Sequence, residues 1–170
     1  MSHENGKMMH LSESFIRETD EIISHYPVSK RSAMLMLLHQ WQEAFGYISE
    51  QAVEWIAAKL EVQKISVTEV VTFYPMFRQH AAGKVQFKVC RTLSCMLGGS
   101  YELADHLKKR CKVGDPDEHG LAISPDGKYS VEYVECLASC GTAPVLMVND
   151  DTYEAVTNQK VDDLVAKYKG

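Results

Sequence analysis

Nowhere in this chain of 170 residues does an apolar run approach the length of a membrane span. The longest, Ala33 to Leu38, stops far short of the roughly 20 residues that a bilayer demands, so any membrane association is expected to come through a partner. Positive charge is not in excess either. Lysine and arginine number 18 against 23 acidic residues, a net charge of −5, and no basic face for nucleic acid is expected. Residues 1–10 are polar, with lysine only at Lys7 and no apolar run behind it. They read as a flexible N-terminus, neither a signal peptide nor an Arg-rich transit sequence, which places the chain in the cytoplasm. Internal repeats and low-complexity tracts are missing too. No G-x-G-x-x-G opens a helix, so nothing here proposes a nicotinamide site of the chain's own.

What is present falls into two halves. Ser12 is placed to cap a helix running to about His25, with Phe15, Thr19, Ile22, Ile23 and Tyr26 inward before Pro27. A second helix is expected from about Lys30 to Phe45, burying Met34, Leu37, Leu38, Trp41 and Phe45 and ending at Gly46. Ser49 caps a third, with Ile48 and Val53 as a hydrophobic staple and Ala52, Ile56 and Leu60 continuing the stripe. Ser66 and Glu69 form an S-x-x-E capping box, with Ile65 and Val70 as staple, for a short fourth helix ending before Pro75. Residues 11–80 are thus expected to be a helical domain. From Gly83 the period changes: Val85, Phe87 and Val89 alternate with Lys84, Gln86 and Lys88 as in a half-buried strand. A helix from Gly98 to Arg110 follows, then strands Leu121 to Ile123 and Tyr129 to Val134 around a Pro125-Asp126-Gly127 turn. A strand Val145 to Val148, a turn at Asp150 and Asp151, and a helix Val156 to Tyr168 close the chain. Residues 81–170 are expected to be an α/β domain, with the acidic loop Gly114 to Gly120 in solvent. The fold class is α+β, a helical bundle followed by that domain.

Five cysteines, an odd number in a chain without secretion signals, favour metal or cluster ligation over disulfides. Cys90 ends the first strand and Cys95 follows in a loop; Cys136 ends a later strand and Cys140 precedes Gly141. Neighbouring strand ends would bring both pairs to one edge, four sulfurs around a bimetallic centre. Four thiolates with two ferric irons and two sulfides carry a net charge of −2, which calls for amide donors to sulfur. Gly98, Gly99, Gly141 and the helix start after Cys95 are expected to let backbone N–H groups approach. Spacing leaves two other readings open: unconnected core cysteines, and structural zinc, for which C-x4-C with C-x3-C is the less typical pattern. A redox dithiol would want C-x-x-C, which is absent. Cys111 reads as a bystander thiol beside basic residues, and His39 as a core or surface side chain.

Four stretches carry a resemblance. They are RSAMLMLLHQWQEAFGYIS from Arg31 to Ser49, VTEVVTFYPMF from Val67 to Phe77, VCRTLSCMLGGS around Cys90 and Cys95, and ECLASCGTAPVLMVND around Cys136 and Cys140. They resemble the E-type subunits of respiratory complex I, the NADH:quinone oxidoreductase, within the thioredoxin-like [2Fe-2S] ferredoxins. The resemblance covers most of the chain. Met36 stands where many relatives carry proline, and the interval from Cys95 to Cys136 is longer than usual, the extra length falling between Cys111 and Lys128.

The resemblance implies one [2Fe-2S] cluster on Cys90, Cys95, Cys136 and Cys140 in a thioredoxin-like domain. It implies a redox subunit without a complete catalytic site of its own, docked on a larger F-type subunit that binds NADH and FMN and exchanges electrons with the cluster. Other peripheral-arm subunits would be further partners, at the inner face of the plasma membrane. An equivalent diaphorase subunit of an NAD-linked hydrogenase or formate dehydrogenase is the alternative. Apart from the resemblance, a zinc-binding structural or interaction module with a helix-turn-helix-like N-terminus, which the helices at 50–60 and 67–74 suggest, is an alternative of another class. Trp41, Phe45, Tyr47, Phe73, Tyr74 and Phe77 are divided in expectation between a docking surface and the helical core.

Overall fold

The computed structural model describes residues 11–117 and 120–169. The N-terminal stretch 1–10 expected to be flexible therefore lies outside the described residues. The chain divides into two compact units, with the boundary between His80 and Ala81.

The first unit is helical because its apolar residues recur at helical spacing and its helix ends are capped. Ser12 accepts from the Phe15 N–H to open α1 (Glu13–Ser24), and Ser49 accepts from the Ala52 N–H to open α3 (Glu50–Leu60). The second helix is shorter than its pattern: Lys30–Ala33 is a 3-10 turn, and α2 runs Met34–Phe45 until Gly46, at φ 85, closes it. The fourth helix, α4 (Lys64–Phe73), corrects the capping expectation. It begins two residues before Ser66, its flank Gln63 makes no side-chain cap, and Ile65 is exposed. The buried pair is Val67 and Val71, four apart on one face, whereas a staple of Ile65 and Val70 would have needed a later start. Tyr74 is extended, as its position before Pro75 requires. Trp41 sits at the centre, with its ring 5.7 Å from Phe15, 4.8 Å from Phe45 and 5.3 Å from Trp55. Of the aromatics divided between core and surface, Trp41 and Phe77 are buried, Phe45 and Tyr74 pack against the core, Tyr47 is half-buried, and Phe73 is 75% exposed.

In the second unit a five-stranded sheet has the order β2-β3-β1-β4-β5. The strands are β1 (Val85–Cys90), β2 (Leu121–Ile123), β3 (Tyr129–Val134), β4 (Leu146–Val148) and β5 (Asp151–Tyr153). β1 and β3 are parallel, in register from Val85 with Tyr129 to Cys90 with Val134; every other neighbour is antiparallel. Helices α6 (Ser100–Cys111) and α7 (Asn158–Lys167) pack together over one face. There Val85, Phe87, Val89, Val131 and Leu146 meet Leu103, Leu107, Val161 and Leu164, while Gln86, Lys88 and Glu132 alternate onto the other face. Gly83 lies where an added Cβ would fall 2.4 Å from the Tyr129 carbonyl carbon, so the entry to β1 admits no side chain. A short helix, α5 (Leu93–Leu97), and the edge strand β5 were not expected, and the final helix starts at Asn158 behind a Thr157 cap.

Candidate metal centre

Topology explains why two cysteine pairs far apart in sequence converge. β1 and β3 point the same way, and their ends are level, because Cys90 is paired with Val134. The segment after β3 therefore starts beside the segment after β1. To reach β4, on the far side of β1, the chain must then pass across the end of β1. The loop holding Cys136 and Cys140 is thus laid over the one holding Cys90 and Cys95. Hydrogen bonds pin the crossing: the Cys90 N–H donates to the Val145 carbonyl at 3.1 Å, and the Arg91 N–H to the Val134 carbonyl at 3.0 Å. Gly98, at the end of α5, lets the loops close, since a Cβ there would lie 3.2 Å from Ala143 Cβ and 3.3 Å from the Pro144 nitrogen.

The two pairs have different surroundings. Cys90 and Cys95 are each 1% exposed and form a small apolar cluster with Val145, against which Leu137 and Ala143 pack. Cys95 is on a helix, α5, and not in a loop as its spacing suggested. Cys136 lies two residues beyond the end of β3, and Cys140 opens a 3-10 turn, Cys140–Thr142; both thiols are exposed. Their sulfurs are 3.7 Å apart. Two thiolates on one tetrahedral metal, with bonds of about 2.3 Å, would be separated by about 3.8 Å.

Backbone amides surround the sulfurs. The Ala138 N–H donates to Cys136 Sγ at 3.4 Å, with Ala138 in the left-handed region at φ 63, which costs an L residue about 1–2 kcal/mol. Backbone hydrogen bonds from Thr92 and Leu137 reach Cys90, and one from Val145 reaches Cys95. Leu137 and Val145 belong to the other loop, and the Thr92 and Ser94 side chains in turn bond Cys136 and Cys140, so each segment solvates the other's thiols. Burial pushes the Cys90 thiol up, but the Thr92 side chain at 3.3 Å and these amides bring it below its ordinary value. Burial first, then the Cys90 contact, raises Cys95. Cys136 is lowered, chiefly by the Ala138 amide, and Cys140 is raised by its hydrogen bond with Cys136. Electrostatic coupling runs between the pairs as well, from Cys90 to Cys136 and Cys140 and from Cys140 to Cys95.

The model of the thioredoxin-like [2Fe-2S] ferredoxin family matches residues 19–169. The chain belongs to this family. A relative from Thermus thermophilus, named NADH-quinone oxidoreductase subunit 2, is 38% identical over 155 residues, 91% of this chain and 82% of the relative. The E-type subunit of the NADH-quinone oxidoreductase of Rickettsia bellii is 38% identical over 154 residues, 88% of each. A subunit of an NADP-reducing hydrogenase, HndA of Solidesulfovibrio fructosivorans, is 29% identical over 158 residues, 93% of this chain and 89% of that one. Among solved structures, an air-oxidised NAD+-reducing [NiFe]-hydrogenase aligns with a TM-score of 0.66 over 80% of this chain, at 18% identity. This chain spans 22% of that one, and the likeness is one of fold.

The donor set fits the cluster of this family. Four thiols come in two pairs, one pair at the separation of two ligands on one metal, with amide donors facing sulfur to offset the net negative charge. Among the described residues, no three His, Cys, Asp or Glu side chains converge on a single ion; the arrangement is of pairs, unlike a closed mononuclear zinc site. Several features of the site were missed in sequence. The glycines expected to admit amides to sulfur do other work: Gly98 spaces the loops, Gly99 takes φ 92 before α6, and a Cβ on Gly141 would meet nothing within 4 Å. The donors are Thr92, Leu137, Ala138 and Val145, whose side chains carry no signal of it. Arg91 and Glu135, adjacent to Cys90 and Cys136, form an ion pair at 2.5 Å across the loops, which their opposite charges beside two cysteines foreshadow. Cys111 takes no part: it is buried in the core at the end of α6, and burial pushes its thiol up to about 12.

Proposed function

We propose that this chain is the E-type electron-transfer subunit of an NADH-quinone oxidoreductase, holding one [2Fe-2S] cluster on Cys90, Cys95, Cys136 and Cys140. The observation that carries the reading is the level pairing of β1 with β3, which sets both cysteine pairs at one sheet edge, in a chain 38% identical to such subunits over most of its length. The two units serve as a helical domain, 11–80, and a cluster domain, 81–170.

The cluster, when bound, supplies a one-electron couple. The residues of the chain set how it is held and reached. Cys90 and Cys95 anchor one side inside the apolar contact with Val145 and keep water from it. Cys136 and Cys140 leave the other side at the surface, where electrons can cross to a docked partner. Beside them α5 presents Leu93 and Leu97, 67% and 76% exposed, an apolar rim suited to a protein contact. The partner we assign is the F-type subunit with FMN and NADH, within the peripheral arm at the inner face of the plasma membrane. Among the described residues no helix is long and apolar enough to cross a membrane.

The second reading, an equivalent subunit of an NAD-linked hydrogenase, is favoured by the similarity to the NADP-reducing hydrogenase subunit. Anaerobic purification with iron and sulfide assays, and EPR after dithionite reduction, tests the cluster. Two irons and two sulfides per chain are expected; stoichiometric zinc in a colourless protein would reject the assignment. Co-purification of the tagged chain from its native cells, followed by NADH-driven quinone reduction by the captured complex, separates the readings. Hydrogen-dependent reduction of a pyridine nucleotide by that complex would establish the second.

A further inference from the structure

A cleft of about 580 Å³ opens at the other end of the same sheet. It lies between the end of α6, the turn joining β2 to β3, the first residue of β3 and the end of α7. β3 spans roughly 17 Å at about 3.3 Å per residue, and the cysteines lie past its far end, so the cleft is separate from the metal centre. Its volume is within the range of small-molecule sites, about 300–1,000 Å³.

Two independent observations point to a ligand. The first is charge: in a chain of net charge −5, Arg110, Lys112, Lys128 and Lys169 all line this one cleft. Among the described residues Asp126 is the one acidic residue in the lining; Asp162 binds Arg110 at 2.8 Å from outside it and the Lys128 ammonium donates to the Lys169 carbonyl, so Lys112 and Lys169 are the cations assigned to a ligand. The second is a buried donor with nothing to donate to. Tyr129 is 8% exposed and lines the cleft, and its hydroxyl, buried just beneath the surface, has no hydrogen-bond partner among the described residues. Leaving such a group unpaired costs about 1–3 kcal/mol, which a bound acceptor would relieve. Burial pushes the phenol up, so it remains a protonated donor at neutral pH. Cys111, also in the lining, stays a neutral thiol for the same reason and brings no opposing charge. Val165, Ala166 and Pro125 add an apolar wall that a free inorganic ion would not use.

We propose that this cleft binds an organic phosphate of about mononucleotide size. The phosphate is held by Lys112 and Lys169, a small rotation of Tyr129 brings its hydroxyl to the cleft surface to donate to it, and the organic body lies on the apolar wall. The site is independent of the cluster assignment.

Calorimetric titration of the full-length, cluster-loaded chain with ADP, beside inorganic phosphate and adenosine, tests it. Saturable one-site binding of ADP is expected, weakening as salt rises. Tyr129→Phe, which removes only the hydroxyl, should weaken it about tenfold, and Lys112→Glu with Lys169→Glu should abolish it. Unchanged cluster absorbance and thermal midpoint would show that the variants fold. Amide shifts in the unsubstituted chain upon ADP addition, clustered at residues 124–129 and 165–169, give a readout that depends on no variant. Absence of ADP binding, or affinity indifferent to both variants, overturns the site. Inorganic phosphate binding as tightly as ADP overturns the organic body.

Discussion

The two cysteine pairs proposed to hold the cluster stand in opposite environments. Cys90 and Cys95 sit on regular elements, a strand end and a helix, with 1% exposure each; Cys136 and Cys140 sit on an irregular, exposed segment whose Ala138 is held in left-handed backbone. Half of the proposed centre is built as core and half as surface. The buried pair belongs to the stability of the domain whether or not metal is present. The exposed pair belongs to exchange with whatever docks.

Substitutions are expected to separate the two pairs. Changing any of the four cysteines to serine is expected to take iron from two per chain to near zero, by iron assay after reconstitution. The apo-proteins should then differ. Cys95→Ser places a hydroxyl in an apolar contact and should lower apo stability by about 1–3 kcal/mol in urea unfolding, whereas Cys136→Ser should leave it unchanged. Equal losses from both would erase the distinction. A smaller effect on iron is expected where the two segments touch. Gly98→Val, set against Ala143 and the Pro144 nitrogen, should cost about 1–3 kcal/mol and reduce the iron retained, measured in the same two assays. The smallest is expected from Arg91→Ala. The pair it breaks with Glu135 is more than half exposed on both sides, so stability should fall by less than about 1 kcal/mol, with iron content kept. A large loss of iron in this variant would make the ion pair a true clasp of the two segments.

Much of the fold was legible from pattern. The alternation of Val85, Phe87 and Val89 marked β1 because one face of the sheet is buried and the other is not. Ser12 and Ser49 marked helix starts because each side chain bonds an otherwise unpaired N–H. What escaped had weak periodicity or depended on three dimensions. Leu93–Leu97 is too short to display a stripe, so Cys95 passed for a loop residue. β5 is a three-residue edge strand with polar Asp151 and Thr152, and no alternation betrays it. Cys111 follows three basic residues in sequence, yet one helical turn places it under Leu107, in the core. The proposed site was legible as four candidate cysteines in two pairs, which the structure sets at one sheet edge. Its amide donors were not, because any residue type can present a backbone N–H and only the path of the loops decides which ones do.

The parallel pairing of β1 with β3 also sets an order of events in time. These strands are distant in sequence and joined through α5, α6 and β2, so their docking is a non-local step that closes a long loop and comes late in folding. Until it occurs, the four thiols are two unrelated pairs. A chain in which β1 has not yet docked on β3 therefore holds no preorganised centre spanning both pairs. Once the strands have docked, the Cys136–Cys140 side is the one left open to solvent.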